Sequence, residues 1–212
     1  MSGSASDLEL YEAWCVGDRH AGERLFARHY GEINRYFANK ITRDHHDLTQ
    51  QTFLACVVSR DDFRRASSFR TFLFGVAHKV LLRRLRDYAR HDARLDLGTI
   101  SAAELTPGPS TLLDRRSEHA RVLDALRTLQ VSYQEVLELH YWEELAAPAI
   151  AEVVGITEAN VRNRLHRGRL ALLRALACEE PAATAALEQC ARALRSRTDP
   201  LATGAQPRRA AQ

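Results

Sequence analysis

No window of this chain approaches the roughly 18 consecutive apolar residues that a membrane-spanning helix needs, so membrane insertion is not expected. The opening MSGSASDLEL lacks the basic-then-apolar order of a secretory signal, which points to a cytoplasmic protein. Cysteine is scarce. Cys15, Cys56, Cys178 and Cys190 show no C-x-x-C spacing and no partnering His at zinc-like intervals, so unpaired thiols in a reducing compartment are expected. Strand-like alternation is missing, which leaves an all-α protein. Recognisable catalytic patterns are missing too: there is no H-E-x-x-H and no paired-carboxylate spacing. His45, His46 and Asp47 are neighbours, but adjacent side chains on a helix point in different directions and rarely share an ion. No catalytic residue, metal or cofactor is therefore expected.

What is present is helical periodicity and clustered arginine. The net charge of the 212 residues is only +3, yet arginines gather at 83–94 and again at 162–174. Phe26, Tyr30, Ile33, Phe37 and Ile41 form one stripe, predicting a helix over roughly 18–41. A second helix is expected from Asp44 to Ser59, with Leu48, Phe53, Leu54 and Val57 inward. A long third one runs from Phe69 to about Ala93, burying Phe74, Ala77, Leu81, Leu85 and Tyr88. The stretch LDLGTISAAELTPGPSTLL then holds two prolines, two glycines and no stripe, and reads as a flexible linker. Extended at about 3.3–3.6 Å per residue, it would reach on the order of 60 Å.

Beyond it a second helical unit begins at Asp114, with Val122, Leu123, Leu126 and Leu129 apolar. Ser132 and Glu135 have capping-box spacing. Pro148 suits the first turn of a short helix, Gly155 its left-handed exit, and Thr157 the cap of the helix that follows. On that last helix Val161, Leu165, Gly168, Leu172 and Leu176 share one face. Arg162, Asn163, His166 and Arg167 point away from it, with Arg164 on a flank. Helix, glycine turn and arginine-rich helix are the pattern of a helix-turn-helix, whose second helix reads base edges in the major groove. The third helix repeats the logic: Lys79, Arg83, Arg86 and Arg90 make one stripe opposite Phe74, Leu81 and Leu85, suited to a phosphate backbone. Just upstream, Phe63, Phe69 and Phe72 interleave with Arg64, Arg65 and Arg70, a pattern that stacks and holds single-stranded bases, although for Phe69 and Phe72 individually the residues favour a core position. The tail from 178 is alanine-rich, with a weak stripe of Leu187, Cys190 and Leu194, and reads as disordered after about Arg197.

These motifs, in this order, resemble the bacterial RNA polymerase sigma factors of the extracytoplasmic-function type, which keep only regions 2 and 4 joined by a linker. DLTQQTFL (47–54) is similar to the polymerase-clamp segment, SSFRTFLFGVAHKVLLRRLR (67–86) to the melting and −10-reading segment, and Ala125–Leu176 to region 4. The resemblance implies region 2 within 1–94, a linker at 95–113, region 4 within 114–177 and an extension at 178–212. It implies that Arg162, Asn163, Arg164, His166 and Arg167 meet the −35 element. It further implies that Arg64, Arg65, Phe69, Arg70, Lys79, Arg83, Arg86 and Arg90 serve the −10 element and melting. Asp47, Gln50, Gln51, Thr52 and Phe53 would contact polymerase. The implied partners are core RNA polymerase, through its beta-prime clamp and beta flap, promoter DNA and an anti-sigma factor. Gln51, Lys79 and Ala146-Ala147-Pro148 depart from the usual pattern. On residues alone two alternatives stand beside this one: a helix-turn-helix regulator with a helical dimerisation or ligand domain, and a helical enzyme.

Overall fold

Ser6 and Glu9 open the first helix by satisfying each other's main chain. Glu9 N–H donates to Ser6 Oγ at 3.3 Å, and Ser6 N–H to Glu9 Oε2 at 2.6 Å. This helix, α1 (Asp7–Cys15), buries only Leu10 and Tyr11, too few positions to show as a stripe in the sequence. The computed structural model describes residues 5–41, 43–63, 67–91, 98–105, 119–177 and 180–197. Gly17, at φ +106°, makes the turn into α2 (Arg19–Ala38), where Asp18 accepts from Ala21 N–H at 3.1 Å. Helices α3 (His45–Val58) and α4 (Phe69–His91) complete the first unit. Leu25, Ile33, Phe37, Leu48, Leu73, Phe74, Ala77 and Leu81 fill its core. Burying each larger one contributes roughly 1.5–3 kcal/mol.

Helix α3 corrects one expectation. Leu48 is buried, but Leu54 and Val57 are 67% and 47% exposed and Val58 is 89% exposed. The inward face is instead Leu48, Thr49, Thr52 and Cys56, the i, i+4 row that meets α2 and α4.

The expected linker is partly docked. Val131 N–H donates to the Ile100 carbonyl at 2.8 Å, and Ser101 bridges Gln130. A short helix, α5 (Ala102–Leu105), follows, with Ile100, Ala102 and Leu105 buried. The rest of that segment, and the start of the helix expected from Asp114, lie outside the described residues. Helices α6 (Ala120–Thr128), α7 (Val131–Tyr141), α8 (Ala147–Val154) and α9 (Glu158–Leu176) form the second unit. Gly155 leaves α8 at φ 70° and ψ 35°, and Thr157 caps α9 by accepting from Asn160 N–H at 3.3 Å. The Ser132–Glu135 capping box does not form: α7 starts two residues earlier than that box requires, at Val131, with Gln130 in the cap position and no side-chain cap. Glu135 is drawn away to Tyr36 and His78. Helix α10 (Glu180–Arg197) packs on α6, α7 and α9 through Ala183, Leu187, Cys190, Ala191 and Leu194. The tail after Arg197 lies outside the described residues.

The two units touch. Helix α4 packs on α8, and a buried polar seam joins the C-terminal end of α2 and the residues after it to α7 and Glu143. Arg35 reaches both carboxylate oxygens of Glu143, at 2.8 and 2.9 Å. Lys40 pairs with Glu138, which also accepts from Asn39 at 3.1 Å. Glu135 accepts from the Tyr36 hydroxyl and lies 2.8 Å from His78 Nδ1. Arg127 donates to the Asn39 carbonyl at 2.8 Å. Burial pushes both glutamates up. At Glu135 the hydrogen bond and charge of His78, with Lys40 and Tyr36, outweigh it, and the carboxyl sits below its usual range. At Glu138 burial prevails over Lys40 and the carboxyl sits above it. Breaking such a pair by deleting one partner costs about 3–5 kcal/mol while the seam stays closed.

Candidate nucleic-acid and polymerase interfaces

The outer face of α9 is built by its inner one. Val161, Leu165, Gly168 and Leu172 are buried, which turns Arg162, Asn163, His166 and Arg167 to solvent. A Cβ on Gly168 would sit 3.1 Å from Leu137 Cδ1, so a small residue lets α9 lie close on α7. Arg164 is half-buried on the flank. With Asn163, Arg167, Asn160, Gln130 and Ser132 it lines a polar notch where the start of α7 meets α9. Arg162 is held by Glu158 one turn earlier. Side chains at the N-terminal end of such a helix can reach base edges, and the notch can take a backbone phosphate.

On α4 the cationic stripe is where the spacing put it. Lys79, Arg83, Arg86 and Arg90 are all exposed, and Phe74, Leu81 and Leu85 are buried opposite. Arg90 pairs locally with Asp87 at 2.6 Å. The upstream aromatic residues are another matter. Phe69 is buried, with Phe63 and Tyr11 rings both 5.9 Å away by centroid, so it is a core residue and no base can stack on it. Arg70 is engaged with Glu32 and Glu143. Arg64 and Arg65 lie outside the described residues.

Helix α3 divides the expected polymerase contacts. Asp47, Gln50 and Gln51 are exposed, with Gln51 donating to Asp47 at 2.6 Å. Thr52 is not available: it is fully buried, its hydroxyl donating to the Leu48 carbonyl at 2.8 Å. Phe53 is half-buried between Phe26 and Tyr30, with centroids 5.0 and 6.1 Å apart. Together with Leu54, Val57, Ala27 and Gln50 these rings line an open apolar groove between α2 and α3. Periodicity missed it because apolar residues surround α3 almost evenly. The run FLACVV, too wide for one buried face, was the available signal. Exposed apolar surface of this kind is able to receive an apolar partner surface.

Among the described residues no group of three His, Cys, Asp or Glu is placed to hold a metal, and no helix is long and apolar enough to cross a membrane.

Two stretches match family descriptions: residues 25–91 match Sigma-70 region 2, and residues 119–172 match Sigma-70, region 4. The chain is 32% identical over 164 residues to the RNA polymerase sigma factor YlaC of Bacillus subtilis, across 73% of this chain and 91% of that one. It belongs to the RNA polymerase sigma factors. Similarity extends to the extracytoplasmic-function members, including SigM of Mycobacterium tuberculosis, at 25% identity over 173 residues, 81% of this chain and 85% of that one. The sigma factor also resembles the solved structure of CnrH in complex with the cytosolic domain of CnrY. That match has a TM-score of 0.56 and 27% identity over 80% of this chain and 96% of that one. A second structure, the sigma factor RpoE with the anti-sigma factor NepR from Bartonella quintana, shares the fold at TM-score 0.59 and 16% identity, over 75% of this chain and 96% of that one. Helix α10 of this sigma factor lies beyond both matched stretches.

Proposed function

We propose that this sigma factor docks core RNA polymerase through the α2–α3 groove and holds it on a promoter with two cationic faces, one in each unit. The α9 face reads the −35 element: Arg162, Asn163 and Arg167 suit guanine and adenine edges, and Arg164 with the α7 start takes a phosphate. The α4 stripe of Lys79, Arg83, Arg86 and Arg90 follows the backbone at the −10 element, next to the segment around 60–70 that receives unpaired bases. Gripping the opened strand offsets the cost of unpairing. The polymerase supplies the chemistry, and no residue of this chain is assigned a catalytic role. The observation that carries the reading is the pair of exposed cationic helix faces, each inside a stretch that matches a sigma region.

The beta-prime clamp fits the apolar groove, and the second unit is the candidate contact for the beta flap. An anti-sigma partner is proposed by analogy with the solved RpoE complex with NepR. Transcription in vitro with purified core enzyme and a genomic promoter library tests the whole. Start sites that share a −35/−10 pair are expected. A chain that neither co-purifies with core nor directs initiation from any template refutes it.

A further inference from the structure

Helix α1 precedes the stretch that matches Sigma-70 region 2, yet it touches both sides of the segment assigned to unpaired bases. On the entry side the Tyr11 hydroxyl donates to the Arg60 carbonyl at 2.9 Å, the same carbonyl that accepts from Phe63 N–H at 3.3 Å. The Tyr11 ring meets Phe63 edge-on, with centroids 4.8 Å apart, and the Arg60 guanidinium lies over the Trp14 ring at 5.5 Å. On the exit side Phe69 packs on the Tyr11 ring at 5.9 Å. Asp7 is also tied through His29 and Glu32 to Arg70, in steps of 2.7, 3.0 and 2.9 Å.

Trp14 reaches its place because Gly22 leaves room for it. A Cβ on Gly22 would lie 2.7 Å from Trp14 Cδ1, inside the separation at which non-bonded carbons rest. Phe26 fixes the indole edge-on from the other side, with centroids 5.1 Å apart. The turn held in this way is short. Arg60–Asp62 is a single 3₁₀ turn with no side-chain cap, and such turns have poor hydrogen-bond geometry. Its two acids, Asp61 and Asp62, are exposed and would repel a phosphate, so the turn serves to hold Phe63 rather than to bind the backbone. Residues ordered only when a ligand arrives subtract from its affinity, and ordering them beforehand removes that cost.

We propose that α1 is a brace for promoter melting: Tyr11, seconded by Trp14 in the Gly22 slot, is a positioning residue that sets Arg60–Phe63 before unpaired −10 bases arrive. This rests on the sigma-factor reading above.

The test uses the full chain with core enzyme on one promoter recovered from the genomic library. That promoter is supplied as a duplex and as the same sequence with its −10 region mismatched open, which needs no melting. Tyr11→Phe keeps the ring and removes only the hydroxyl. It is expected to lower initiation from the duplex about fivefold, the size of one hydrogen bond, and from the opened template by less than about twofold. Gly22→Ala, which drives a methyl group into Trp14 and shifts the indole from Arg60, is expected to show the same split between templates. For either variant, losses of equal size on both templates, as a chain that merely folds less well would give, overturn the proposal. An unchanged rate on the duplex overturns it too. A wild-type chain that initiates from neither template refutes the sigma-factor reading and the brace with it. Wild-type initiation together with either overturning result refutes the brace alone.

Discussion

Single residues carry the chemistry, and their positions were legible to different degrees. Arg167 is exposed on α9 and free to swing toward a base edge. Arg167→Ala is expected to weaken binding to a −35 duplex by about 1–3 kcal/mol, measured by fluorescence anisotropy. An unchanged affinity would mean that another face of α9 meets DNA. His29 has a different significance. Burial pulls its imidazole down, but hydrogen bonds and charges from Glu32 and Asp7 outweigh that and raise it above its usual value. A raised folded-state value adds stability that is complete below the unfolded value near pH 6.5 and disappears as pH climbs through the folded one. His29→Ala should therefore lower the melting temperature more at pH 6 than at pH 9. Equal losses at both pH values would show that His29 contributes by packing alone. No sequence pattern marked His29, because Asp7 lies 22 residues away.

At the level of elements, α9 was readable and α3 was not. The apolar positions of α9 follow one helical face, its cap is local, and Gly155 sets the turn that precedes it. Helix α3 has apolar residues on every side, so its orientation follows from what α2 and α4 leave uncovered. That places Thr52 inside and Leu54, Val57 and Val58 outside, the reverse of what hydropathy suggests. Replacing Leu54 and Val58 with Asp should change thermal stability by no more than about 0.5 kcal/mol per site, since both are exposed. The same double variant should bind core polymerase at least about tenfold more weakly in a pull-down titration. A stable variant with normal core binding would move the docking surface away from α3.

The whole molecule is two helical units meeting across a polar seam, with α10 packed on the rear unit. If both cationic faces engage one promoter, salt dependence adds up across the two units. Each phosphate contact contributes about 0.9 to the slope of log affinity against log salt. Arg83→Ala/Arg86→Ala should lower that slope by roughly 1.8 for a full promoter and leave it unchanged for an isolated −35 duplex. A slope unaltered on the full promoter would return the α4 stripe to an ordinary solvated face.

Local order in the chain was enough to establish the longer helices, though not α1 or α5, together with the glycine turn, the Thr157 cap and both rows of cations. Each depends on side chains within about one turn of one another, and spacing of three and four residues places them on a common face. The pairing of Glu135, Glu138 and Glu143 with Tyr36, Lys40 and Arg35 spans about a hundred residues and leaves no periodic trace. The docking of 98–105 and the open groove on α3 arise in the same way. Which partner covers a given face is settled only when distant helices come together, because burial and charge pairing are properties of neighbours in space.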